Sequence, residues 1–574
     1  MHRVRVIRPR KWEEAVWPGM EPFDTVFTEE ISDDLLTDGL LHIARVARKR
    51  FLRPNGSMCP RRIVVWGALA SVRVKQQSGF DLRQFNTFRS SAGVVYDLEE
   101  VFLNEPGAAM LLSDPIHLFS LDLNKPPEDL RRSGGTSSLE AAASADGIFN
   151  CLVTWFELEM PSGARVSFAP NWADPQHMYV RAIKQRLHFV GYERQLRAGD
   201  VVALHLAQND TAFDVTAPAD RELSKTGRLV PWTYAPLLSY HFPMIAETVR
   251  NDKFERALLR AIVEFKEEHG RGPHVLDIGS GTGLLAMMAA RGGAAKVTSL
   301  EMVPAVAAVA RQIVQANGYS HVVQIINARS DELPAELMGS KADILVSELV
   351  DDHVIGDGIL MSHADARRRL LVPSPTIVPR SGRIFAIPIQ LRYPTPAGVS
   401  MDVISSQRAE QVVLTRPYHS FKLQRCPPEH YRILADPIPL FTFDWARGDI
   451  DSLAHAREMP PKPFTFSASG TFNAFALTFD LQMDDDLSGD YSGGLDNVGC
   501  HWDQPIRFLP VELRVRKGDK LHLASRHNDN DLNWMKISGI RPEMLHGMLG
   551  ARNLLEPSMR YVAERLGVVL QVGD

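Results

Sequence analysis

The segment Val275–Glu301, VLDIGSGTGLLAMMAARGGAAKVTSLE, decides the fold class of this 574-residue chain. Its apolar beginning, Val275–Ile278, predicts a buried strand, the glycines at 279, 281 and 283 predict a tight turn, and Leu284–Ala290 predicts a helix. Glu301 ends the next predicted strand. A carboxylate at that position of a doubly wound sheet can accept hydrogen bonds from both hydroxyls of a ribose. The segment therefore predicts a Rossmann-like α/β domain that binds a nucleoside-like cofactor.

The glycine turn also distinguishes between cofactor classes. A dinucleotide-binding turn has the pattern G-x-G-x-x-G and faces a pyrophosphate, whereas this chain has G-S-G-T-G shortly after Asp277. A carboxylate at Asp277 repels phosphate and attracts a cation. S-adenosylmethionine carries a positive amino group and a positive sulfonium, so the turn predicts this cofactor.

A second acidic segment is predicted at the same edge of the sheet. The predicted strand Asp343–Ser347 is followed by a loop in which Glu348 and Asp357 bracket eight residues and Gly358 follows. Ligands of such sheets bind at the carboxyl ends of the strands. Two more segments carry polar and aromatic residues. The first, Tyr240–Phe254, has a helical pattern and contains Met244, Glu247 and Arg250. The second is the downstream run Cys500-His501-Trp502.

Together these segments resemble the protein arginine N-methyltransferases. That family has a first helix with methionine, an acid, arginine and an aromatic residue, then a glycine turn, a double-acid loop and a Thr-His-Trp loop. The resemblance runs from about Tyr234 to the C-terminal region. It implies a class I S-adenosylmethionine methyltransferase domain followed by a β-barrel, and methyl transfer to arginine in arginine-rich proteins or peptides.

The resemblance implies roles for individual residues in cofactor binding and in catalysis. The cofactor-binding residues would be Arg250 at the cofactor carboxylate, Asp277 and Gly279 at its amino acid end, Gly281 in the turn, Glu301 at the ribose and Asp331 at the adenine edge. The catalytic residues would be Glu348 and Asp357 as a clamp for the substrate guanidinium, Met244 near the sulfonium, and Glu247, His501 and Trp502, which close the pocket. Two positions depart from the family pattern, because Asp357 replaces a glutamate and Cys500 replaces the threonine.

Two carboxylates suit arginine as a substrate. A guanidinium is delocalised and charged, and is therefore a poor nucleophile. Carboxylates that accept its hydrogen bonds in fork geometry fix its plane and aim one nitrogen at the methyl carbon. Transfer is then an in-line displacement with a sulfonium leaving group, for which we expect no metal.

An internal repeat is the second strong signal in the sequence. Residues 4–61 align without a gap on residues 323–380, with 17 identities in 58 positions. The aligned pairs include Glu29 with Glu348 and Asp38 with Asp357. The first copy lacks the first helix, the glycine turn and the ribose acid, so we expect only the second copy to bind cofactor. Because the first copy opens inside a predicted strand, the alternative that Met1 is not the true start stays open.

The repeat divides the chain into predicted domains. These are the C-terminal half of a degenerate methyltransferase domain at 1–61, a first β-barrel with its arm at 62–228, a linker at 229–236, the S-adenosylmethionine-binding domain at 237–383, and a second β-barrel with its arm at 384–574. Within the first barrel, residues 123–147 are rich in Pro, Gly and Ser and predict a long connection between strands.

Resemblance to tandem members of the family implies an intramolecular pseudodimer. The arm of the first copy, about residues 79–109, would dock on the second copy. The arm of the second copy, about residues 400–434, has no such target, because the matching half of the first copy is missing. Further self-association through that arm therefore stays open.

Composition limits the environment and the partners of the chain. It is 45% hydrophobic and 23% charged, as in ordinary globular proteins, and its four cysteines have no paired spacing that indicates a disulfide framework or a zinc site. The N-terminus is too charged for a signal peptide and no apolar run approaches about 18 residues, so we expect no membrane span and a cytoplasmic or nuclear location. A net charge of −5 disfavours direct nucleic-acid binding and suits basic peptides.

Two functional readings remain from the sequence. The first is an active enzyme whose second copy monomethylates arginine, as the resemblance to tandem members implies. The second is a catalytically weak or inactive scaffold that binds cofactor or arginine-rich partners, suggested by Asp357, Cys500 and the truncated first copy.

Overall fold

The structure is a computed structural model that divides into two compact units. Unit 1 comprises residues 1–75 and 83–243, and unit 2 comprises residues 76–82 and 244–574. The residues described are 21–29, 31, 35–89, 100–101, 110–125, 135–169, 185–218, 228–229, 241–391, 419–421, 423–426, 430–449, 457–486, 489–528, 530–532 and 534–545. Most of the predicted linker 229–236, and much of both predicted arms, lie outside these ranges.

Unit 1 begins with a short α/β segment and continues as antiparallel sheet. Its strands are β1 (Phe23–Phe27), β2 (Leu52–Cys59), β3 (Arg62–Ser71), β6 (Glu100–Val101), β7 (Met110–Leu111), β8 (Ile116–Asp122), β9 (Gly135–Ala142), β10 (Gly147–Glu159), β11 (Arg165–Ser167), β12 (Gln185–Leu196), β13 (Val201–Gln208), β14 (Phe213–Thr216) and β15 (Arg228–Leu229). The helical segments are α1 (Leu40–Val46), a π-helical turn (Ala47–Phe51) and a 3₁₀ segment (Arg83–Arg89).

Strand β10 is the centre of the antiparallel part of unit 1. It lies between β3 and β12 in an eight-stranded sheet, and a three-stranded sheet runs in the order β14-β13-β9. Phe149, Leu152 and Phe156 face the main core, whereas Cys151 and Val153 face a second cluster. Alternate side chains of a strand point to opposite faces, and β10 buries both of them. The two curled sheets form a half-barrel.

Unit 2 contains a parallel sheet with helices, a second antiparallel half-barrel and a small hairpin. Its strands are β4 (Gln76–Gln77), β5 (Phe80–Asp81), β16 (His274–Ile278), β17 (Lys296–Glu301), β18 (Val323–Asn327), β19 (Ala342–Ser347), β20 (Leu371–Val378), β21 (Ser381–Leu391), β22 (His419–Phe421), β23 (Tyr431–Ile433), β24 (Ile438–Asp444), β25 (Arg457–Thr465), β26 (Gly470–Gln482), β27 (Tyr491–Ser492), β28 (Gln504–Val515), β29 (Lys520–His527) and β30 (Trp534–Ser538). The α-helices are α2 (His241–Ala246, which begins in unit 1), α3 (Thr248–His269), α4 (Leu284–Arg291), α5 (Pro304–Ala316) and α6 (Ile359–Arg369), with 3₁₀ turns at Ala335–Met338, Leu423–Arg425 and Pro542–Leu545.

The parallel sheet confirms the predicted class I α/β domain. Its five strands run in the order β18-β17-β16-β19-β20 and all pairs are parallel. Every residue of β16 and β19 is buried, as expected for central strands covered by helices on both faces. The apolar helix α4 buries all but its last two residues. The glycine turn therefore lies at the carboxyl edge of the central strand.

The C-terminal half-barrel has a seven-stranded sheet, β22-β28-β26-β21-β23 with β24 and β27 at its sides, and a three-stranded sheet, β25-β29-β30. Phe464, Phe466, Phe472 and Phe475 pack edge to face in its core, with ring centroids 5.0–6.4 Å apart. Aromatic pairs in this geometry add to the stability that burial gives. The strand-rich segments predicted after the parallel sheet are confirmed as curled antiparallel sheet.

Corresponding elements recur in the two units. Strands β1, β2 and β3 begin 319 residues before β19, β20 and β21. The loops between the first strand and the helix also match in backbone conformation: Leu35 and Val354 have φ of 68° and 74°, and Gly39 and Gly358 have φ of 83° and 82°. A left-handed leucine or valine is rare. Its occurrence at the same position of both loops indicates a shared backbone conformation at that position.

Two sequence expectations were wrong in detail. The predicted connection 123–147 contains β9, whose sequence GTSSLEAA has little intrinsic strand preference and is ordered by pairing with β13. The helical pattern Tyr240–Phe254 is broken at Glu247, which is extended with φ −74° and ψ 94°. The buried Asn251 side chain donates to the carbonyl of Ile245 at 2.9 Å and so satisfies a backbone group that the break exposes.

The β4–β5 hairpin packs on the helices of unit 2. Phe80 is buried, lies edge-on to Tyr319 at 5.8 Å and contacts the Arg291 guanidinium at 4.2 Å. Asn317, at the end of α5, bonds both the N–H and the carbonyl of Asp81 at 2.8 Å. These contacts make residues 76–82 part of unit 2. None of the described helices is long and apolar enough to cross a membrane.

Candidate functional site

The glycine turn between β16 and α4 is tied to the end of β17. The N–H groups of Gly279 and Ser280 donate to the carbonyl oxygen of Leu300 at 3.0 and 2.9 Å. Gly279 has a φ of 87°, and a Cβ there would lie 2.9 Å from Leu349 Cδ2. Glycine is therefore required for both conformation and space. The turn leaves little side-chain bulk at the edge where ligands of such sheets bind.

Glu301, at the end of β17, is oriented by the turn that it faces. Its Oε2 accepts a hydrogen bond from Gly281 N–H at 2.9 Å, and its Oε1 accepts one from Val303 N–H at 2.8 Å. The side chain is buried. Because each carboxylate oxygen has a second lone pair, both remain able to accept from the two hydroxyls of a ribose.

Asp277 is a fully buried carboxylate beside the turn. Its Oδ2 accepts a hydrogen bond from the Ser299 hydroxyl at 2.7 Å. Within the described part of the chain, Asp277 Oδ1, the Ser280 hydroxyl and Arg250 Nε are buried without a hydrogen-bond partner. Buried polar atoms are nearly always paired, so these atoms mark a place for a polar ligand. An ammonium on Asp277 and a carboxylate on Arg250 would fit the amino acid end of S-adenosylmethionine.

The protonation of Asp277 depends on its burial. Burial raises the pKa of Asp277 to about 7, the hydrogen bond from Ser299 opposes the rise, and the nearby charge of Glu301 adds to it. A positive group bound at Asp277 would favour the charged carboxylate and lower this pKa again. The site is therefore better suited to a cation than to an anion.

Arg250, in the first turn of α3, connects the cofactor side to the acidic loop. Its Nη1 donates to Asn251 Oδ1 at 2.7 Å and its Nη2 donates to Glu348 Oε2 at 2.5 Å. Both members of the Arg250–Glu348 ion pair have side chains less than a tenth exposed. Glu348 thus already holds one guanidinium group in this structure, that of Arg250.

Glu247 lies at the centre of a buried hydrogen-bond group. Its Oε2 accepts from the backbone N–H of His501 at 2.8 Å and from His501 Nδ1 at 2.6 Å, and its Oε1 accepts from the Tyr491 hydroxyl at 2.6 Å. A carboxylate can only accept, so His501 Nδ1 carries the proton. Burial opposes ionisation, yet the hydrogen bonds from His501 and Tyr491 hold the pKa of Glu247 below its usual value. Glu247 and His501, both predicted from the sequence, meet here across 254 residues.

The acidic loop after β19 is stabilised by one of its own side chains. Asp351 Oδ1 accepts from the N–H groups of His353 and Gly356 at 3.0 and 2.8 Å, and Asp351 Oδ2 lies 3.2 Å from His353 Nδ1. These bonds surround Val354, the residue in the left-handed conformation. Asp351 therefore fixes the path of the chain between Glu348 and Asp357.

The loop Cys500–Asp503 is bonded to the acidic loop at two points. The indole N–H of Trp502 donates to the carbonyl of Val350 at 2.8 Å, and the N–H of Asp503 donates to Asp352 Oδ1 at 3.1 Å. Trp502 is buried. The histidine, the tryptophan and the acidic loop are thereby held together at one side of the site.

Asp357 lies at the exposed end of the acidic loop. Although the residue is exposed, partial loss of hydration around its carboxyl raises its pKa to about 6, and the charges of Asp351, Glu348 and Asp352 contribute to the rise. It is therefore partly protonated in mildly acidic solution.

The remaining predicted residues have more ordinary surroundings. Met244 is half-buried in α2. Asp331 is exposed and paired with Arg329 at 3.0 and 3.1 Å, an arrangement that does not by itself indicate a ligand. In unit 1, the counterparts Glu29 and Asp38 are both exposed.

Sequence reasoning missed four residues that hold the site together. Ser299 bonds Asp277, Asn251 orients Arg250, Asp351 shapes the acidic loop, and Tyr491 bonds Glu247. Asp351 lies within a segment that the sequence had already singled out. No local pattern marks Tyr491, because its partner is 244 residues away.

Comparisons with known proteins agree with this geometry. The family model described as "Methyltransferase domain" matches residues 269–366. The chain is 35% identical over 297 residues to the arginine N(omega)-methyltransferase of Streptomyces achromogenes subsp. streptozoticus, an alignment that covers 50% of this chain and 76% of that protein. It is 29% identical over 337 residues to protein arginine N-methyltransferase 7 of Caenorhabditis briggsae, covering 55% of this chain and 50% of that protein. The counterpart from Drosophila grimshawi is 33% identical over 335 residues, with coverage of 52% and 46%.

Two solved structures are also similar to part of the chain. One is the PRMT1 enzyme–prozyme heterotetrameric complex of Trypanosoma brucei with AdoHcy, at 22% identity and a TM-score of 0.42, covering 52% of this chain and 93% of that chain. The other is protein arginine methyltransferase 10 of Arabidopsis thaliana, at 21% identity and a TM-score of 0.42, with coverage of 52% and 91%.

The extent of the matches differs between the relatives. This chain spans about half the length of the protein arginine N-methyltransferase 7 relatives, but three quarters of the Streptomyces enzyme at 35% identity. The matched region contains the glycine turn and the loop with Glu348 and Asp357. On this evidence the chain belongs to the protein arginine N-methyltransferase family.

Proposed function

We propose that this chain transfers a methyl group from S-adenosylmethionine to a guanidinium nitrogen of arginine in arginine-rich proteins or peptides. The observation that carries the proposal is the Arg250–Glu348 contact. A buried carboxylate next to the glycine turn accepts a guanidinium hydrogen bond at 2.5 Å. A site that binds one guanidinium in this position has the chemistry to bind another from a substrate.

The proposed reaction uses the chain for binding, orientation and electrostatics. S-adenosylmethionine, when bound, supplies an electrophilic methyl carbon and a neutral leaving group. Asp277 would hold its ammonium, Arg250 its carboxylate and Glu301 its ribose, with Asp331 near the adenine. As Arg250 turns toward the cofactor carboxylate, Glu348 would be released to accept the substrate guanidinium.

The two loop acids would then fix the substrate. Glu348 and Asp357 would accept hydrogen bonds from two edges of the guanidinium, leaving one nitrogen aimed at the methyl carbon. That nitrogen would form a bond to carbon as the carbon–sulfur bond breaks, and the methylated guanidinium would pass one proton to water. Met244 would pack near the reacting atoms, while Trp502 and the Glu247–His501 pair would keep water out of the site.

We assign catalysis to unit 2 and propose that the first 61 residues are a degenerate copy of its methyltransferase domain. The shared order of elements and the matching loop conformation at Leu35 and Val354 support a common module. In unit 2, Asp277 and Glu301 both lie beside the glycine turn. The resemblance to tandem relatives supports monomethylarginine as product, and docking of the arm of the first copy on unit 2 as a pseudodimer.

The alternative function is a scaffold that binds cofactor or arginine-rich partners with little turnover. Two observations favour it. Arg250 occupies Glu348, and the shortened acid Asp357 is partly protonated near pH 6. If Arg250 cannot leave Glu348, the substrate guanidinium has one binding group fewer.

Transfer of isotope-labelled methyl tests the proposal. Wild type, Glu348→Gln and Glu29→Gln are incubated with labelled S-adenosylmethionine and an arginine-rich peptide, and the methylarginines are separated after hydrolysis. We expect monomethylarginine from wild type and Glu29→Gln, and a loss of at least about a hundredfold for Glu348→Gln. Cofactor binding without methylated product would support the scaffold function. Dimethylarginine would contradict the proposal that the enzyme stops at monomethylarginine.

A parallel reaction with free L-arginine separates two substrate classes. The Streptomyces relative is named for arginine and the others for protein arginine. We expect peptide to be preferred. Faster methylation of free L-arginine would contradict the proposed substrate and leave the cofactor chemistry intact.

A further inference from the structure

Tyr491 is a buried residue of unit 2 that the proposed reaction does not yet use. It begins β27, is 1% exposed, and lies against Trp502 and Phe479 with ring centroids at 5.4 and 6.4 Å. Its hydroxyl donates to Glu247 Oε1 at 2.6 Å. A buried hydroxyl at this distance from a carboxylate makes a charge-assisted hydrogen bond, which is stronger than one between neutral groups.

The hydroxyl completes the set of donors around Glu247. His501 supplies both donors to Oε2, through its backbone N–H and Nδ1, whereas Tyr491 supplies the donor to Oε1. With donors on both oxygens the carboxylate has one favoured plane. Without the tyrosine hydroxyl, Oε1 would be a buried acceptor that has lost its charge-assisted bond, a costly state for an ionised group.

Orientation of Glu247 determines which nitrogen of His501 carries a proton. Because Oε2 accepts from Nδ1, the neutral imidazole keeps Nε2 as its accepting nitrogen. Burial lowers the pKa of His501, although Glu247 opposes this effect, so the neutral ring is favoured. His501 in turn precedes Trp502, whose indole holds Val350 in the acidic loop.

Charged and titratable groups among the described residues act on this pair. Arg250 and Glu348 act on His501, and Tyr491 acts on Glu247. Tyr491 itself has its pKa raised by burial and by the nearby Cys500 and Glu247, so it remains a protonated donor. The Tyr491 hydroxyl therefore keeps the proton that it donates to Glu247.

We propose that Tyr491 is a positioning residue: it fixes the Glu247 carboxylate so that His501 is held as the Nδ1-protonated tautomer beside the substrate site. The expected effect on kcat rests on the proposed function. The expected effect on the tautomer and titration of His501 does not depend on whether the protein turns over substrate.

The test removes one oxygen atom with Tyr491→Phe in the full-length chain. We expect kcat to fall about tenfold while KM for the peptide changes less than about threefold, because the hydroxyl does not bind substrate. Loss of a donor also raises the pKa of Glu247 and so weakens the charged carboxylate that orients His501. Tyr192→Phe is the matched control, because it removes a buried hydroxyl that donates to Ala217 in unit 1, and it should leave both quantities unchanged.

A second readout separates this inference from the proposed function. NMR of ¹⁵N-labelled histidine, with His501 identified by its loss in His501→Gln, reports the tautomer directly. We expect Nδ1–H in wild type and a mixed tautomer or raised pKa in Tyr491→Phe. An unchanged His501 signal in that variant overturns the positioning role, whatever the activity. A changed signal with no methyl transfer by wild type supports the positioning of His501 and rejects the proposed function.

Discussion

At the scale of single residues, Asp277 links cofactor binding to pH. Its pKa of about 7 means that the free protein carries a proton there in mildly acidic solution. A cofactor ammonium requires the charged form, so binding releases that proton and weakens as pH falls. We expect affinity to fall by up to about tenfold per pH unit below 7, measured by calorimetric titration. Asp277→Asn should bind weakly with no such slope, and a flat profile for wild type between pH 5.5 and 8 would contradict the assignment.

The same carboxyl has a predictable effect on folding. A buried acid whose pKa is raised in the folded state stabilises the fold below its unfolded pKa, and this contribution is lost as pH rises through the folded value. Cofactor-free wild type should therefore lose the stability due to Asp277 between about pH 4 and 7. The loss should be absent in Asp277→Asn, which thermal unfolding of the two proteins across this range can show.

Asp357 is the second residue whose charge changes near neutral pH. With a pKa of about 6, it loses its charge as pH falls through that value, and KM for an arginine peptide should rise there. In Asp357→Glu the longer side chain reaches farther from the loop, so its carboxyl should regain hydration, whose loss is the main cause of the raised pKa of Asp357. We expect the acidic limb of kcat/KM to move to lower pH. Asp38→Glu, at the aligned position in unit 1, is the control. Equal profiles of kcat/KM against pH for wild type, Asp357→Glu and Asp38→Glu would favour the scaffold function.

At the scale of elements, the loop between β19 and α6 depends on Asp351. Asp351→Ala removes the acceptor for two backbone N–H groups around the left-handed Val354, a local loss of about 1–3 kcal/mol. We expect KM for peptide to rise and kcat to fall about tenfold, with cofactor affinity changed less than twofold. Asp351→Asn keeps an acceptor oxygen and removes the charge. It should preserve kcat and lower the pKa of Asp357, and an equal defect in both variants would show that charge matters rather than loop shape.

At the scale of the whole molecule, the β4–β5 hairpin ties residues 76–82 to unit 2. Phe80→Ala removes a buried ring that contacts Arg291 and Tyr319, and should destabilise unit 2 by about 3–5 kcal/mol. The two units need not unfold together, so thermal unfolding can show two transitions. The transition of unit 2 is identified as the one that S-adenosylmethionine shifts to higher temperature, because the ligand stabilises the unit that binds it. Phe27→Ala, at an exposed ring of unit 1, is the control. An unchanged cofactor-sensitive transition in Phe80→Ala would show that the hairpin is not part of unit 2.

Patterns along the sequence were enough to predict the local parts of this protein. Spacing of glycines and apolar residues predicted β16, the turn and α4, because each depends on neighbours along the chain. The repeat and the acids Glu348 and Asp357 were visible for the same reason. Only the tertiary structure showed that β9 is a strand, because pairing with β13 overrides its weak strand preference. It alone placed Tyr491 on Glu247, since a hydrogen bond between residues 244 positions apart leaves no periodic pattern in either segment.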